Sequence, residues 1–333
     1  MKKIFLNSIC ILALFLWVSV QAHAVDDTPT IRKTFTMSGA GQLKVTTSGG
    51  KIEVNGTSGN QVEVNMYVKR NGKVLSANDD FMSELRDVVE INISKEGNTV
   101  IAYTKRKNSN GNWWKSVFKN VSFHFQVNVP TNMSTELKTS GGRLYLADVS
   151  GEHTLRTSGG GIKLVNVSGD TDASTSGGGI KVEGQKGSVR VSTSGGGITI
   201  VESEGNIYGR TSGGGITLEN NKGDLDVSTS GGPIRISGYA ESVKASTSGG
   251  GISVDITGLT KKLSLSTSGG GIRARVPAGV GMDLDLHGGR VNVDEISNFK
   301  GSMKKNHVTG SINGGGIPVR MHTSGGSVSF AFN

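Results

Sequence analysis

The sequence predicts an all-β protein: a β-solenoid of about 18-residue, two-strand rungs, right-handed in the manner of a β-helix or β-roll, with an N-terminal α+β insertion acting as a cap. Three observations predict it. Thr-Ser-Gly-Gly recurs at a fixed interval, aliphatic residues alternate at fixed places after it, and glycine reaches 51 of 333 residues while proline stays at 5.

Taken in chain order, residues 1–24 read as an export signal. Lys2 and Lys3 supply a positive start, residues 4–20 an apolar run, and Ala22-His23-Ala24 a small-x-small cleavage site. The expected mature chain begins at Val25 and has no segment long and apolar enough to span a bilayer. Cys10, the single cysteine, falls within the signal, which excludes disulfides and thiolate chemistry from the mature protein. Removing Lys2 and Lys3 takes the basic count from 36 to 34 against 27 acids, so the net charge falls from +9 to about +7. That balance favours anionic envelope surfaces, polysaccharide or lipid, and does not point to nucleic acid.

Residues 30–54 contribute an early strand pair and the first copy of the motif, at Thr47. A different texture follows until Thr139. Residues 76–88 open on Ser or Asp and put Phe81, Leu85 and Val88 on one face, so they predict a short helix. Strands are expected at 89–94, 99–104 and 121–129, the last closed by Pro130. This segment reads as an insertion packed on the N-terminal end of the solenoid.

From Thr139 to Thr247 the motif returns every 18 residues, then the spacing changes to 20, 19, 26 and 11. Counting Leu286-His287-Gly288-Gly289 and Ile312-Asn313-Gly314-Gly315 as degenerate copies gives twelve. With Thr as position 1, position 6 is aliphatic throughout, from Ile52 to Ile317 and Val328. Position 8 (Leu164, Val182, Ile200) and positions 15 and 17 (Val189/Val191, Leu225/Val227) are also mostly aliphatic, the alternation of half-buried strands. A left-handed hexapeptide coil would require an aliphatic at position 12, where Ser168 and Lys186 stand. A calcium β-roll would require an aspartate at a fixed offset after the glycines, and none recurs there.

The threonine at position 1 shares the parity of positions 15 and 17 and is expected to face inward in a hydrogen-bonded ladder, with the serines at positions 18 and 2 outward. The paired glycines (Gly159/Gly160, Gly177/Gly178, Gly195/Gly196, Gly213/Gly214) are expected to hold φ > 0 or a close approach between rungs. The third glycine is dispensable, since Lys51, Arg143 and Pro233 replace it. At the C-terminus Val328, Phe330 and Phe332 alternate as a final, capping strand.

Candidate binding residues fall in two groups. The 105–119 loop holds five cations (Lys105, Arg106, Lys107, Lys115, Lys119) beside Trp113 and Trp114, a combination suited to a sugar ring or a membrane interface. Outward position 7 carries a basic stripe, Lys163, Lys181, Arg235 and Arg273, whose like-charged neighbours gain nothing structurally. At position 16, Asp172 with Arg190 and Asp226 with Lys244 read as cross-strand charge matching. The histidines His124, His153, His287, His307 and His322 share no column or metal spacing, and no acid pair recurs in adjacent rungs. No metal, cofactor or catalytic residue is expected.

The early Thr-Thr-Ser-Gly-Gly-Lys-Ile-Glu-Val (46–54), the strand ending in Val129-Pro130, Leu137-Lys138-Thr139-Ser140-Gly141-Gly142 and the repeated Thr-Ser-Gly-Gly-Gly-Ile resemble the bacterial putative-adhesin β-strand-repeat domains of unknown function. The resemblance implies an exported β-solenoid of the periplasm, cell surface or extracellular space, with no catalytic or ligand residues to carry over. The expected organisation is a signal peptide (1–24), N-terminal strands with the inserted cap (25–138), the regular solenoid (139–285) and irregular C-terminal rungs and cap (286–333). The expected function is a non-catalytic, adhesin-like binding or scaffold protein of the cell envelope, with polysaccharide, anionic lipid or an envelope protein as partner. The alternatives are a polysaccharide-active β-helix enzyme and an envelope-stress sensor that binds lipids or cationic peptides.

Overall fold

The computed structural model describes residues 28–107, 119–294 and 298–333. The expected export signal lies outside them. The described residues form two fifteen-stranded, largely parallel sheets and one helix, an arrangement consistent with a β-solenoid-like fold. Each regular repeat sends one strand to each sheet. Sheet I takes positions 6 to 9, as in Ile162–Val165, Ile180–Glu183 and Ile198–Val201. Sheet II takes the strands that end on the threonine, as in Thr171–Thr175, Val189–Thr193 and Ile207–Thr211. Register follows the repeat: Ile162 pairs with Ile180, Ile180 with Ile198, and Val189 with Ile207.

Alternation decides which side chains form the core. Positions 6 and 8 from sheet I and 15, 17 and 1 from sheet II are buried, while position 7 points outward. The threonine ladder forms as expected. Thr193 Oγ1 donates to Gly178 O of the preceding repeat at 2.7 Å and accepts from Gly196 N of its own turn at 3.3 Å. Thr175 does the same with Gly160 and Gly178. Thr193→Val keeps the shape but removes the donor, and it is expected to cost about 1–3 kcal/mol. A lowered urea midpoint at unchanged m value would register that cost.

In the regular repeats the paired glycines serve the close approach and not a positive φ, whereas Gly50 of the first copy has φ 114°. A Cβ on Gly160, Gly178, Gly196 or Gly214 would stand 1.9 to 2.2 Å from the carbonyl oxygen of the equivalent glycine one repeat earlier. At Gly159, Gly177, Gly195 and Gly213 the nearest atom is 3.3 to 3.5 Å away, a far milder contact. None of the eight has a positive φ. Positive φ belongs to the opposite turn, at position 10 (Asp148, Asn166, Gly184, Glu202, Asn220, Gly238) and position 13 (Gly151, Gly169, Gly187, Gly205, Gly223). Asn, Asp and Gly suit the left-handed region. Glu202, at φ 52°, is the unusual member.

Between those two columns position 11 turns inward as a corner. Val149 and Val167 give way there to a buried polar ladder of Gln185, Ser203 and Asn221. Gln185 Nε2 donates to Gly169 O at 2.7 Å, Asn221 Nδ2 to Ile200 O at 3.0 Å, and Asn221 Oδ1 accepts from Ser203 N at 3.0 Å. Among the described residues no buried side-chain nitrogen or oxygen lacks a partner.

The N-terminal insertion continues both sheets. Ile52 pairs with Leu144 on one side and Phe125 on the other, and Val45 lies between Leu137 and Ala102. Beyond these, antiparallel strands Gln61–Arg70 and Ile31–Thr36 finish sheet I, and Val89–Glu96 finishes sheet II. The helix α1 (Asp80–Val88) begins later than residue 76 because Asp79 is its cap, accepting from Phe81 N at 3.0 Å. Phe81, Leu85 and Val88 are buried as expected, with Met82 beside them.

At the C-terminal end spatial order departs from chain order. Ser327–Phe332 is not the outermost strand: it lies between Ile272–Val276 and Arg290–Val293. Likewise Ile317–Thr323 inserts between Lys262–Thr267 and Met282–His287. The last true repeat, at Thr323, therefore stacks directly on Thr267, and Thr323 Oγ1 donates to Gly270 O at 2.7 Å. Residues between them make an excursion that ends sheet II with the antiparallel strands His307–Ile312 and Phe299–Lys304.

Both degenerate copies are corrected by this arrangement. Ile317 starts a strand of sheet II, not of sheet I, and Gly314 to Gly316 form a positive-φ turn ahead of it. In the other copy His287 pairs with His322, and Arg290 with Ser327. The turn there is two residues shorter than in a regular repeat. Gly288 thus stands beside the threonine column, with its Cβ position 3.0 Å from Thr323 Cγ2.

Candidate functional site

A bare strip runs along the outer side of sheet I because position 5 is mostly glycine, position 6 turns into the core and position 7 turns outward. Backbone makes the floor, and long position-7 side chains stand beside it. Two depressions open along this strip. One, of about 460 Å³, lies around Gly251 and Gly271 between Arg235 and Arg273, with Ser253, Ser327 and Ser329 supplying hydroxyls. The other, of about 350 Å³, lies around Gly161 and Gly179 and is lined by Arg143, Lys163, Lys181 and Thr199. No acidic residue lines either one.

The four stripe residues behave as two pairs. Lys163 and Lys181 are neighbours, and both reach Glu183, Lys163 at 3.0 Å. Their hydrogen bonds, Lys181's first, hold the Glu183 carboxyl below the usual carboxylate range. This corrects the expectation that these like charges gain nothing structurally, because one acid, two positions after Lys181 in its strand, bridges both lysines and offsets one of their two charges. Arg235 and Arg273 flank Ser253, two strand spacings or about 9.6 Å apart. Neither has an ion-pair partner among the described residues. The larger depression thus holds two arginines with no acid beside either of them.

On sheet II the charge matching is partly different from expectation. Lys244 binds Asp226 at 3.0 Å, as the spacing implies. Asp172 instead lies 3.7 Å from Arg156, leaving Arg190 to stack on Tyr208 with its guanidinium 4.7 Å from the ring centroid. Aromatic attraction to Tyr208 accounts for Arg190 turning away from Asp172. Lys261 bridges Glu241 at 2.9 Å and Asp224 at 3.1 Å, and those two partners raise its pKa.

The cationic loop is described only at its ends. Trp113, Trp114 and Lys115 lie outside the described residues. Lys105 and Arg106 end the strand Thr99–Arg106, and Lys119 is exposed in the turn before Val121–Pro130. Lys107 ties this segment to the helix, its Nζ donating to Arg86 O at 2.7 Å and its backbone N to Val88 O at 2.8 Å. Those carbonyls belong to the last turn of α1, where helix geometry leaves acceptors open.

Sequence reasoning missed one cluster. His287, His307 and His322 lie side by side on the outer surface of sheet II, on three adjacent strands. The shortened turn at Gly288 displaces His287 by two positions in the repeat count, which hides its alignment with His322.

Fold and strip together define a β-rich repeat protein of largely parallel sheets bearing an outward strip with two basic depressions. Among solved structures, a putative adhesin from Parabacteroides distasonis ATCC 8503 is 13% identical, with 90% of this chain and 96% of that chain covered and a TM-score of 0.41. A putative cell adhesion protein from Clostridium sporogenes ATCC 15579 is 12% identical, with 91% and 99% covered and a TM-score of 0.18. Likeness at this level settles neither ligand nor activity. No family model matches the chain, and no curated protein matches it.

Proposed function

We propose that this protein is an exported, non-catalytic, adhesin-like binding or scaffold protein of the cell envelope, its two sheets forming the faces of a right-handed β-solenoid of eighteen-residue rungs. Its ligand is an anionic linear glycan laid along the position-5 strip. The observation that carries this reading is the larger depression, where Arg235 and Arg273 are free of acidic partners over a floor of glycine backbone. A polymer following the strip crosses successive strands about 4.8 Å apart and meets a position-7 side chain at each one. Arginine suits carboxylate or sulfate groups through its fork of donors, and the serines at 253, 327 and 329 suit sugar hydroxyls.

The test compares an acidic polysaccharide such as alginate with neutral dextran and with anionic vesicles. Wild-type protein is expected to retain alginate in preference to dextran, with affinity falling as salt rises. The Arg235→Glu/Arg273→Glu variant is expected to lose at least about tenfold in affinity, since two like charges replace two attractive ones. Unchanged alginate binding in that variant removes the groove from the account, and preferential vesicle binding replaces the glycan with a lipid surface. A parallel Trp113→Ala/Trp114→Ala variant measures the loop separately. Export is tested by mass spectrometry of the mature protein, whose N-terminus is expected at Val25.

A further inference from the structure

We propose that His287, His307 and His322 bind one divalent transition metal of the zinc, nickel or copper class on the outer surface of sheet II. The three residues occupy one row across adjacent strands. His287 is in the middle, in register with His307 on the antiparallel side and with His322 on the parallel side. The His287 and His322 rings lie stacked, with centroids 5.0 Å apart and planes within 8°. His307 meets His287 edge-on, at 5.7 Å and 69°. Neutral imidazole is the preferred ligand for these borderline ions, and three imidazoles with an open fourth position make a recurrent zinc arrangement.

Asp285 orients His307. Its Oδ1 stands 3.3 Å from His307 Nε2, on the same strand face as His287. A proton held on Nε2 by that carboxylate leaves Nδ1 with the lone pair a metal needs, the usual arrangement of a carboxylate behind a ligating histidine.

Among the described residues no three such groups already converge on one point, and the two stacked rings stand parallel instead. The adjustment required of the central pair is a reorientation of both rings. Two nitrogens on one tetrahedral zinc are about 3.3 Å apart when each bond is about 2.0 Å. Rings now parallel and 5.0 Å apart must each lean inward by roughly 1 Å and tilt by about 55°, half the tetrahedral angle, so that both lone pairs meet at one ion. His287 and His322 are exposed on the surface, so their χ angles are free to supply that lean. His307, half-buried and held by Asp285, closes the site from the other side.

The experiment is titration of the full chain with Zn²⁺ by calorimetry, paired with Co²⁺ absorption as a report on nitrogen coordination. One ion per chain is expected. His287→Gln, which removes the central ligand, is expected to abolish the stoichiometric step, and Asp285→Asn to weaken it about tenfold. Arg235→Glu/Arg273→Glu, on the other sheet, is expected to leave it unchanged. Far-UV circular dichroism and the urea midpoint establish that each variant is folded as the wild type. Zn²⁺ binding of equal affinity in a folded His287→Gln/His307→Gln/His322→Gln variant, or no stoichiometric binding in the wild type, overturns the proposal.

Discussion

Gly196→Ala is expected to destabilise the protein by about 3 kcal/mol or more, whereas Gly195→Ala, one residue earlier in the same turn, costs far less. The difference lies in where each Cβ points. On Gly196 it would stand 2.2 Å from Gly178 O, 2.4 Å from Gly178 C and 2.5 Å from Gly179 N, all backbone atoms of the preceding repeat. No side-chain rotation relieves that contact. The two repeats must separate locally, and this stretches the bonds that join them: Thr193 Oγ1 to Gly178 O at 2.7 Å and Gly195 N to Ser176 O at 2.9 Å. On Gly195 the nearest atom is Gly177 O at 3.3 Å, which a shift of a few tenths of an ångström accommodates. Because each repeat contacts only its neighbours, strain at one turn is borne by one interface. Urea midpoints for both variants provide the comparison. Equal losses would mean that the close approach is not what demands the second glycine.

Acid is expected to weaken the fold through His153. This side chain stands in the position-15 column between Thr135 and Thr171, 2% exposed, where Thr135 Oγ1 lies 3.0 Å from its Nδ1 and Ser168 O lies 3.3 Å from its Nε2. Burial pushes its pKa down from 6.5 to about 4, against a smaller upward pull from the Ser168 carbonyl. In the unfolded chain the ring takes up its proton near 6.5. Between the two values the unfolded state binds more protons, so stability is full above about pH 6.5, declines as pH falls to about 4 and levels off below. A gap of that size corresponds to a loss on the order of 3 kcal/mol. His153→Thr matches both column neighbours and removes the titrating group. Its urea midpoint is expected to change much less than the wild type's across that window. Parallel pH profiles for the two proteins would assign the acid sensitivity to other groups.

Much of the fold was legible because stacking makes repetition visible. Residues 18 apart become hydrogen-bonded neighbours, so an aliphatic such as Ile180 must sit between Ile162 and Ile198, and the column appears in the chain as a period. The inward threonines followed from parity alone. Position 10 was not legible, because its requirement is a backbone angle that Asp148, Asn166, Gly184 and Glu202 meet with different side chains. The buried ladder of Gln185, Ser203 and Asn221 was hidden for a related reason. A polar residue at a corner is satisfied by its neighbours one repeat away, which no single repeat displays.

The candidate sites were less legible than the scaffold. Position 7 could be read as a cationic stripe, but its division into a pair bridged by Glu183 and a pair without acidic partners depends on side-chain reach across strands. The histidine row was invisible because a turn shortened by two residues shifts His287 out of phase with the repeat.

By itself the sequence determined the period, the inward columns, the recurring glycine turn after each threonine and the position of the helix. These are local or periodic requirements, written into every copy. Only the tertiary structure decided the order of strands at the C-terminal end, where Thr323 bypasses the excursion to stack on Thr267. A strand pairs with whatever edge offers matching hydrogen bonds and a matching buried face, and the Thr323 copy retains the full motif that the intervening segment has lost.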